Sequence, residues 1–342
     1  MYCAVRDGEV VSHVVHYPLG MFVTMGVVSL GPEDVKKVVV VGAGLMGNSI
    51  AQTFAQAGIE VNLVDMGDEA LGRAMALIRS SLEVLAESGE VSRDDIDTIL
   101  SRIHPSADLQ LSAQGVDFVV EAVPEVPEVK KETFAALDGM LPDEVVIASN
   151  TSGLDIYSFA EVDKPERLLI AHWFLPPHII PLVEVVPGPA TAPEAVTFTA
   201  ALMERLGKKP VVMKGFTRAF IVNKIQNMIA LAVFELLDSG LVSPEDIDQA
   251  VKYSLGIRLP VIGVVQSLDF TGLDLVRDTS KSYGLSVPFI DEKVEKGQLG
   301  VKTSHGIYDY GGRTEPEVLA KRDRLFLQML EHLEDMNAFE PL

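Results

Sequence analysis

The stretch KVVVVGAGLMGNSIAQTFAQAGIEVNLVD, residues 37–65, constrains the fold more than any other segment of the chain. It opens with a continuous β-branched run, the pattern of a strand covered on both faces, as strands of a parallel sheet are. Glycines follow at 42, 44 and 47. Ile50, Ala51, Phe54 and Ala55 then recur at helical spacing until Gly58 stops the helix. A second apolar run, EVNLV, ends in Asp65. Strand, glycine turn, helix and strand make one βαβ unit.

That unit has a binding consequence. Gly42 permits the tight turn, Gly44 leaves room for a pyrophosphate to approach the backbone, and Gly47 lets helix and strand pack closely. The amino end of the helix faces the anion. The candidate cofactor residues are therefore Gly42, Ala43, Gly44, Leu45, Met46 and Gly47, joined by Asp65 18 residues after the last glycine. A carboxylate there accepts both ribose hydroxyl protons and repels a 2′-phosphate, which selects NAD over NADP.

Further βα units follow. Helices are expected at about 68–88, after Ser92 and at 128–140, with strands at 116–123 and in VVIAS before Asn150. The expected fold class is α/β: a Rossmann-type doubly wound sheet domain followed by an all-α C-terminal domain. Because ligands bind at the strand carboxyl ends of such sheets, Glu125, Asn150 and Ser152 are pocket candidates. Simple turn formation by Asn, Thr and Ser is the competing reading.

Composition sets the outer limits. The chain of 342 residues carries 28 Lys plus Arg against 49 Asp plus Glu, a formal net charge of −21. Such a charge repels phosphate backbones and anionic membranes, so nucleic acid and membrane partners are not expected and a small-molecule substrate is. The lone cysteine, Cys3, cannot form an internal disulfide, and no cysteine or carboxylate cluster accompanies His178, so no metal site is expected. The cytoplasm is the expected compartment. The apolar run at 14–30 is broken by Pro18 and Gly20, and Asp7-Gly8 lies between β-rich segments, which predicts a hairpin. Residues 1–36 are read as an appendage, with Met25 an alternative start.

The segment HWFLPPHIIPLVE, residues 172–184, places a histidine near the end of one apolar strand, LLIAHWF, and a glutamate in the next, LVEVV. Three prolines force an irregular crossing between them. If the chain returns Glu184 to His172, the carboxylate fixes the ring's tautomer and leaves the other nitrogen for proton exchange. Taken singly, a histidine such as His172 is more often a satisfied core residue, and Glu184 an edge-strand carboxylate.

Several motifs in fixed order carry a resemblance: VGAGLMG at 41–47, SNTS at 149–152, HWF at 172–174, PLVEVV at 181–186, FIVNK at 220–224, SPEDID at 243–248 and LGVKTSHGIYDY at 299–310. Together, over residues 37 to about 311, they resemble the L-3-hydroxyacyl-coenzyme A dehydrogenase family. The resemblance implies NAD-dependent oxidation of a secondary alcohol, with His172 as general acid/base, Glu184 orienting it, and Ser152 and Asn223 on the substrate oxygen. It also implies cofactor contacts from Glu125, Lys130 and Lys302. Two positions depart from the family pattern: Leu175 stands where an Asn usually contacts the nicotinamide end, and Ala219 replaces the usual glycine before FIVN.

Domain limits are expected at 37–214 for the NAD-binding part, 215–314 for a helical substrate and dimerisation part, and 315–342 for a helical tail, with substrate in the cleft between domains. Residues 219–238 read as a long apolar helix, mostly buried, ended by Gly240, and so apolar a surface predicts a homodimer. Segments 268–284 and 287–297 also read as helical. Asn223 is either a substrate ligand or a structural helix–helix hydrogen bond. Three functions follow: a 3-hydroxyacyl-CoA dehydrogenase; a dehydrogenase of small free hydroxy acids of the L-gulonate or carnitine type, whose version of the proline-rich segment this one resembles; or a dinucleotide-binding protein without turnover, as in lens crystallins.

Overall fold

The computed structural model describes residues 2–6, 9–13, 28 and 30–340. Tyr2–Arg6 (β1) and Glu9–His13 (β2) pair antiparallel with Arg6 opposite Glu9. The Asp7-Gly8 turn and residues 14–27, Met25 included, lie outside the described residues. The rest falls into two compact units, one within 21–229 and one within 230–342.

The first unit is built on one sheet. Lys37–Val41 (β3) leads through Leu45–Gln56 (α1) to Glu60–Val64 (β4), Asp68–Glu87 (α2), Ile96–Ser101 (α3) and Ile103–Ser106 (β5). Leu109–Ser112 (α4), Phe118–Glu121 (β6), Pro127–Met140 (α5), Val146–Ser149 (β7) and Leu168–Trp173 (β8) follow. Leu182–Pro187 (β9), Pro193–Arg205 (α6) and Lys209–Val212 (β10) complete it. The strand order is β10-β9-β8-β7-β6-β3-β4-β5, and every pair is parallel except β8 with β9. Alternate valines explain the doubly covered sheet: Val38 and Val40 pack into one apolar cluster, Val39 and Val41 into another on the opposite face. Sheet and helices together confirm a Rossmann-type domain.

The antiparallel pair within this sheet follows from chain length. Residues 174–181 join β8 to β9, too few for the crossover that a parallel strand requires, so the chain must fold straight back. Its register sets His172 directly opposite Glu184.

Val222–Ser239 (α7) starts later than the apolar run, because Ala219 and Phe220 hold φ of 65° and 50° and cannot be helical. Gly240 ends it with φ of 65°. The expectation that it is mostly buried is corrected: none of its residues is buried, and Met228, Leu231 and Phe234 are exposed. An apolar stripe formed by sequence does not guarantee a cover within one chain.

In the second unit, Pro244–Ala250 (α8) opens with a capping box in which Ser243 and Asp246 exchange hydrogen bonds. Gly256–Thr271 (α9) and Leu273–Ser282 (α10) are separated at Gly272, whose φ of 92° breaks the continuous helix expected over 268–284. Pro288–Glu295 (α11) and Glu315–Asp335 (α12) follow, the latter again with a capping box, Thr314 with Glu317. Buried Asp269 accepts hydrogen bonds from the Ile307 and Tyr308 N–H groups and the Tyr310 hydroxyl. A Cβ at Gly300 or Gly306 would collide with Asp269, which accounts for the glycines in LGVKTSHGIYDY. Among the described residues no single helix is long and apolar enough to cross a membrane, and no group of three His, Cys, Asp or Glu is placed to hold a metal.

Candidate functional site

A cavity of about 520 Å³ opens at the carboxyl ends of the strands, where a doubly wound sheet binds its ligands. Its lining includes Gly42, Gly44, Leu45, Met46, Asp65, Glu125, Asn150, Ser152, His172, Leu175 and Asn223, and therefore most of the residues singled out from sequence.

The glycine loop divides its work as its spacing predicts. Gly42 has φ of 104°, and a Cβ there would strike the Ala122 carbonyl; a Cβ at Gly47 would strike the Gly42 carbonyl oxygen. Gly44 meets nothing within 4 Å, so its open side is available to a ligand rather than filled by protein. Helix α1 has no side chain capping its first turn, which leaves its N–H groups for an anion. Asp65 accepts the Ala43 N–H through Oδ2 and the Met66 N–H through Oδ1, each at 2.8 Å, and lines the cavity. A neighbouring, largely apolar cavity of about 330 Å³ shares Gly42, Asp65, Val123 and Pro124. Open glycine, uncapped helix, acidic strand end and adjoining apolar recess fit a dinucleotide.

Glu125 binds inward rather than standing free. Burial pushes its pKa up, but the Thr151 hydroxyl, Lys130 ammonium and Ser152 N–H and hydroxyl outweigh it and hold the carboxyl below its usual range. Thr151 Oγ1 donates at 2.7 Å, the Ser152 N–H at 2.8 Å and Ser152 Oγ at 3.1 Å. Lys130 is buried and does not line the cavity; its ammonium donates to Glu121 Oε1 at 2.7 Å and lies 3.3 Å from Glu125 Oε2. Glu121, unremarked in sequence, is the hub: it also accepts the Ser149 hydroxyl at 2.5 Å and the Val123 N–H at 2.8 Å. Its one visible signal is a charge at the end of the apolar strand VDFVVE. Lys302 lies in the second unit, where it forms an ion pair with Asp274.

His172 and Glu184 meet. Nδ1 lies 2.8 Å from Glu184 Oε2, and Oε1 of the same carboxylate accepts the Ile221 and Val222 N–H groups at 3.0 Å. Three donors thus serve a carboxylate with no exposed surface, which would otherwise be costly to bury. Burial raises its pKa, but the hydrogen bonds from His172, Val222 and Ile221 more than offset this and keep Glu184 below its usual range. An ionised Glu184 makes Nδ1 the protonated nitrogen, leaving Nε2 as the acceptor. The ring is held between Phe174 and Phe220, with centroids 4.5 and 5.2 Å away. Neither aromatic was singled out from sequence.

Asn150 Oδ1 accepts the Trp173 N–H at 2.9 Å, pinning the end of β8, and Asn223 Nδ2 donates to the Ser152 carbonyl at 3.0 Å. Asn223 makes a hydrogen bond from α7 to the loop after β7 rather than the helix–helix bond expected, and it also lines the cavity. Leu175, half-exposed, lines the same cavity without a polar group. The proline-rich crossing is braced by Lys208, which donates to the Pro177 and Ile180 carbonyls and whose pKa burial pushes down to about 8. Nothing in the sequence around Lys208 marks that role.

The chain is similar to known proteins over most of its length. Residues 37–216 match the NAD binding domain of 3-hydroxyacyl-CoA dehydrogenase, and residues 220–310 match its C-terminal domain. A probable 3-hydroxybutyryl-CoA dehydrogenase of Bacillus subtilis is 34% identical over 82% of this chain and 99% of its own length. The 5-formyl-3-hydroxy-2-methylpyridine 4-carboxylate 5-dehydrogenase of Mesorhizobium japonicum is 29% identical over 88% of this chain and 99% of its own. The crystal structure of a 3-hydroxyacyl-CoA dehydrogenase from Archaeoglobus fulgidus superposes with a TM-score of 0.72 at 31% identity, covering 87% of this chain and 99% of the other. With both domain profiles matched in order and a loop, helix and strand end shaped for the dinucleotide, the chain belongs to the 3-hydroxyacyl-CoA dehydrogenase family of NAD-dependent oxidoreductases.

Proposed function

We propose that the chain interconverts a secondary alcohol and its ketone with His172 as general acid/base, the favoured substrate being an (S)-3-hydroxyacyl-CoA oxidised to the 3-oxoacyl-CoA. The observation that carries this reading is the engagement of His172 Nδ1 by Glu184, which leaves Nε2 on a ring that lines the cavity. NAD, when bound, supplies the hydride acceptor. Gly42, Ala43, Gly44, Leu45, Met46 and Gly47 hold its pyrophosphate and Asp65 its ribose. The alcohol's O–H proton passes to Nε2, and Glu184 stabilises the imidazolium that results. The second amide hydrogen of Asn223, and the Ser152 hydroxyl once it turns from Glu125, donate to the substrate oxygen as negative charge develops on it. Phe174 and Phe220 keep water from the ring.

A second reading, oxidation of a small free hydroxy acid, is favoured by the pyridine carboxylate named in the Mesorhizobium relative. It is also favoured by the sparse basic surface of α2, where Arg79 is already paired with Asp97. Mixing the protein with NADH and either acetoacetyl-CoA or free 3-oxo acids, and following nicotinamide absorbance, separates the two. Loss of absorbance with the thioester alone supports the first, with free acids alone the second, and with neither contradicts turnover. We further propose that a second copy covers the exposed Met228, Leu231 and Phe234 of α7 in a homodimer, which light scattering tests directly.

A further inference from the structure

A second cavity of about 660 Å³ adjoins the first and shares Glu125, Ser152 and Asn223 with it. If the reacting oxygen sits at Ser152 and Asn223, the rest of the substrate has this space to occupy. Its distinctive wall is Arg218, the one Lys or Arg that lines either cavity.

Arg218 makes no hydrogen bond or ion pair among the described residues, whereas Arg79, Arg102, Arg167 and Arg205 are each engaged by a carboxylate or a carbonyl. Two carboxylates line the same cavity, yet neither takes it. Glu125 is committed to Thr151, Ser152 and Lys130, and Asp155 forms no ion pair with it. In a chain of net charge −21, an exposed, unpaired arginine on the wall of a substrate-sized cavity is the local exception to a field that repels anions.

The backbone fixes where Arg218 starts. It directly precedes Ala219 and Phe220, both in the left-handed region, and the next two N–H groups grip Glu184. Asn227, one helical turn beyond Asn223, adds an amide to the same wall. A planar fork flanked by an amide suits two coplanar oxygens.

We propose that Arg218 is a specificity-determining residue that binds a carboxylate on the substrate, away from the carbon being oxidised. This rests on the alcohol–ketone reading above. Such a carboxylate is carried either by a free 3-oxo acid or by the half-thioester of a dicarboxylic acid.

The test compares wild type, Arg218→Met and Arg218→Lys in NADH oxidation with acetoacetate, 3-oxoadipyl-CoA and acetoacetyl-CoA, with NADH affinity and melting temperature as controls on folding. Arg218→Met raises KM for a carboxylate-bearing substrate by about 10- to 100-fold, the loss of a charge-assisted hydrogen bond. The effect falls on KM more than on kcat, exceeds that on acetoacetyl-CoA at least tenfold, and is partly reversed in Arg218→Lys. A loss with acetoacetate identifies the free acid as the source, and a loss with 3-oxoadipyl-CoA identifies the half-thioester. An equal loss with acetoacetyl-CoA assigns Arg218 to a phosphate of the thioester carrier and overturns the proposal, as does no loss with any substrate. Absence of wild-type turnover with all three overturns the underlying reading instead.

Discussion

His172 and Glu184 face each other across the one antiparallel strand pair of an otherwise parallel sheet, with Nδ1 2.8 Å from Oε2. The proline-rich crossing makes this pairing possible, because a longer, parallel connection would have carried the glutamate to a different register. The same carboxylate receives the first N–H groups of α7 and its approach, so one buried group organises both the imidazole and the helix that bears Asn223.

That double duty predicts a pH-dependent stability. Glu184 is held below its ordinary value of 4.5, so its contribution is full above that value and is lost as pH falls through the lower folded value. Glu184→Gln does not titrate. The melting temperature of wild type should exceed that of the variant by a margin that is constant near neutrality and shrinks in acid; a margin independent of pH would contradict the assignment. Turnover of Glu184→Gln should fall roughly 10²–10⁴-fold, as a disordered general base requires.

Ala219 holds φ of 65°, a conformation that a Cβ disfavours and glycine adopts freely. Ala219→Gly should therefore stabilise the protein by roughly 0.5–1 kcal/mol, seen as a melting temperature raised by about 1–2 °C. A lowered melting temperature would show that the strain is absent or balanced elsewhere.

The glycine loop separates folding from binding. A Cβ at Gly47 collides with backbone, and Gly47→Ala should cost roughly 1–3 kcal/mol of stability. Gly44 has open space beside it, so Gly44→Ala should melt as wild type does while binding NADH more weakly in a fluorescence titration. Equal NADH affinity in Gly44→Ala would remove the pyrophosphate from that side of the loop.

Sequence periodicity disclosed the βαβ unit, because buried parallel strands and the GxGxxG turn leave local signatures: Val38 to Val41, Gly42 and Gly47 are all required by contacts within a few residues or one strand away. The His172–Glu184 pair was legible only as a possibility, since its proof lies in the register between two strands. What escaped were groups whose partners come from distant segments. Glu121 with Lys130 and Ser149, Phe220 against His172, and Lys208 bracing Pro177 and Ile180 are tertiary pairings that no spacing encodes. The overestimated burial of α7 and the unseen break at Gly272 have a related cause: apolar periodicity reports that a face needs cover and a helix can form, not what covers it or where a positive φ interrupts it.

Steady-state NADH oxidation by His172→Gln, measured beside its NADH affinity, tests the proposed chemistry most directly. The account predicts turnover reduced at least about 10²-fold with NADH still bound; turnover near that of the wild type would contradict it.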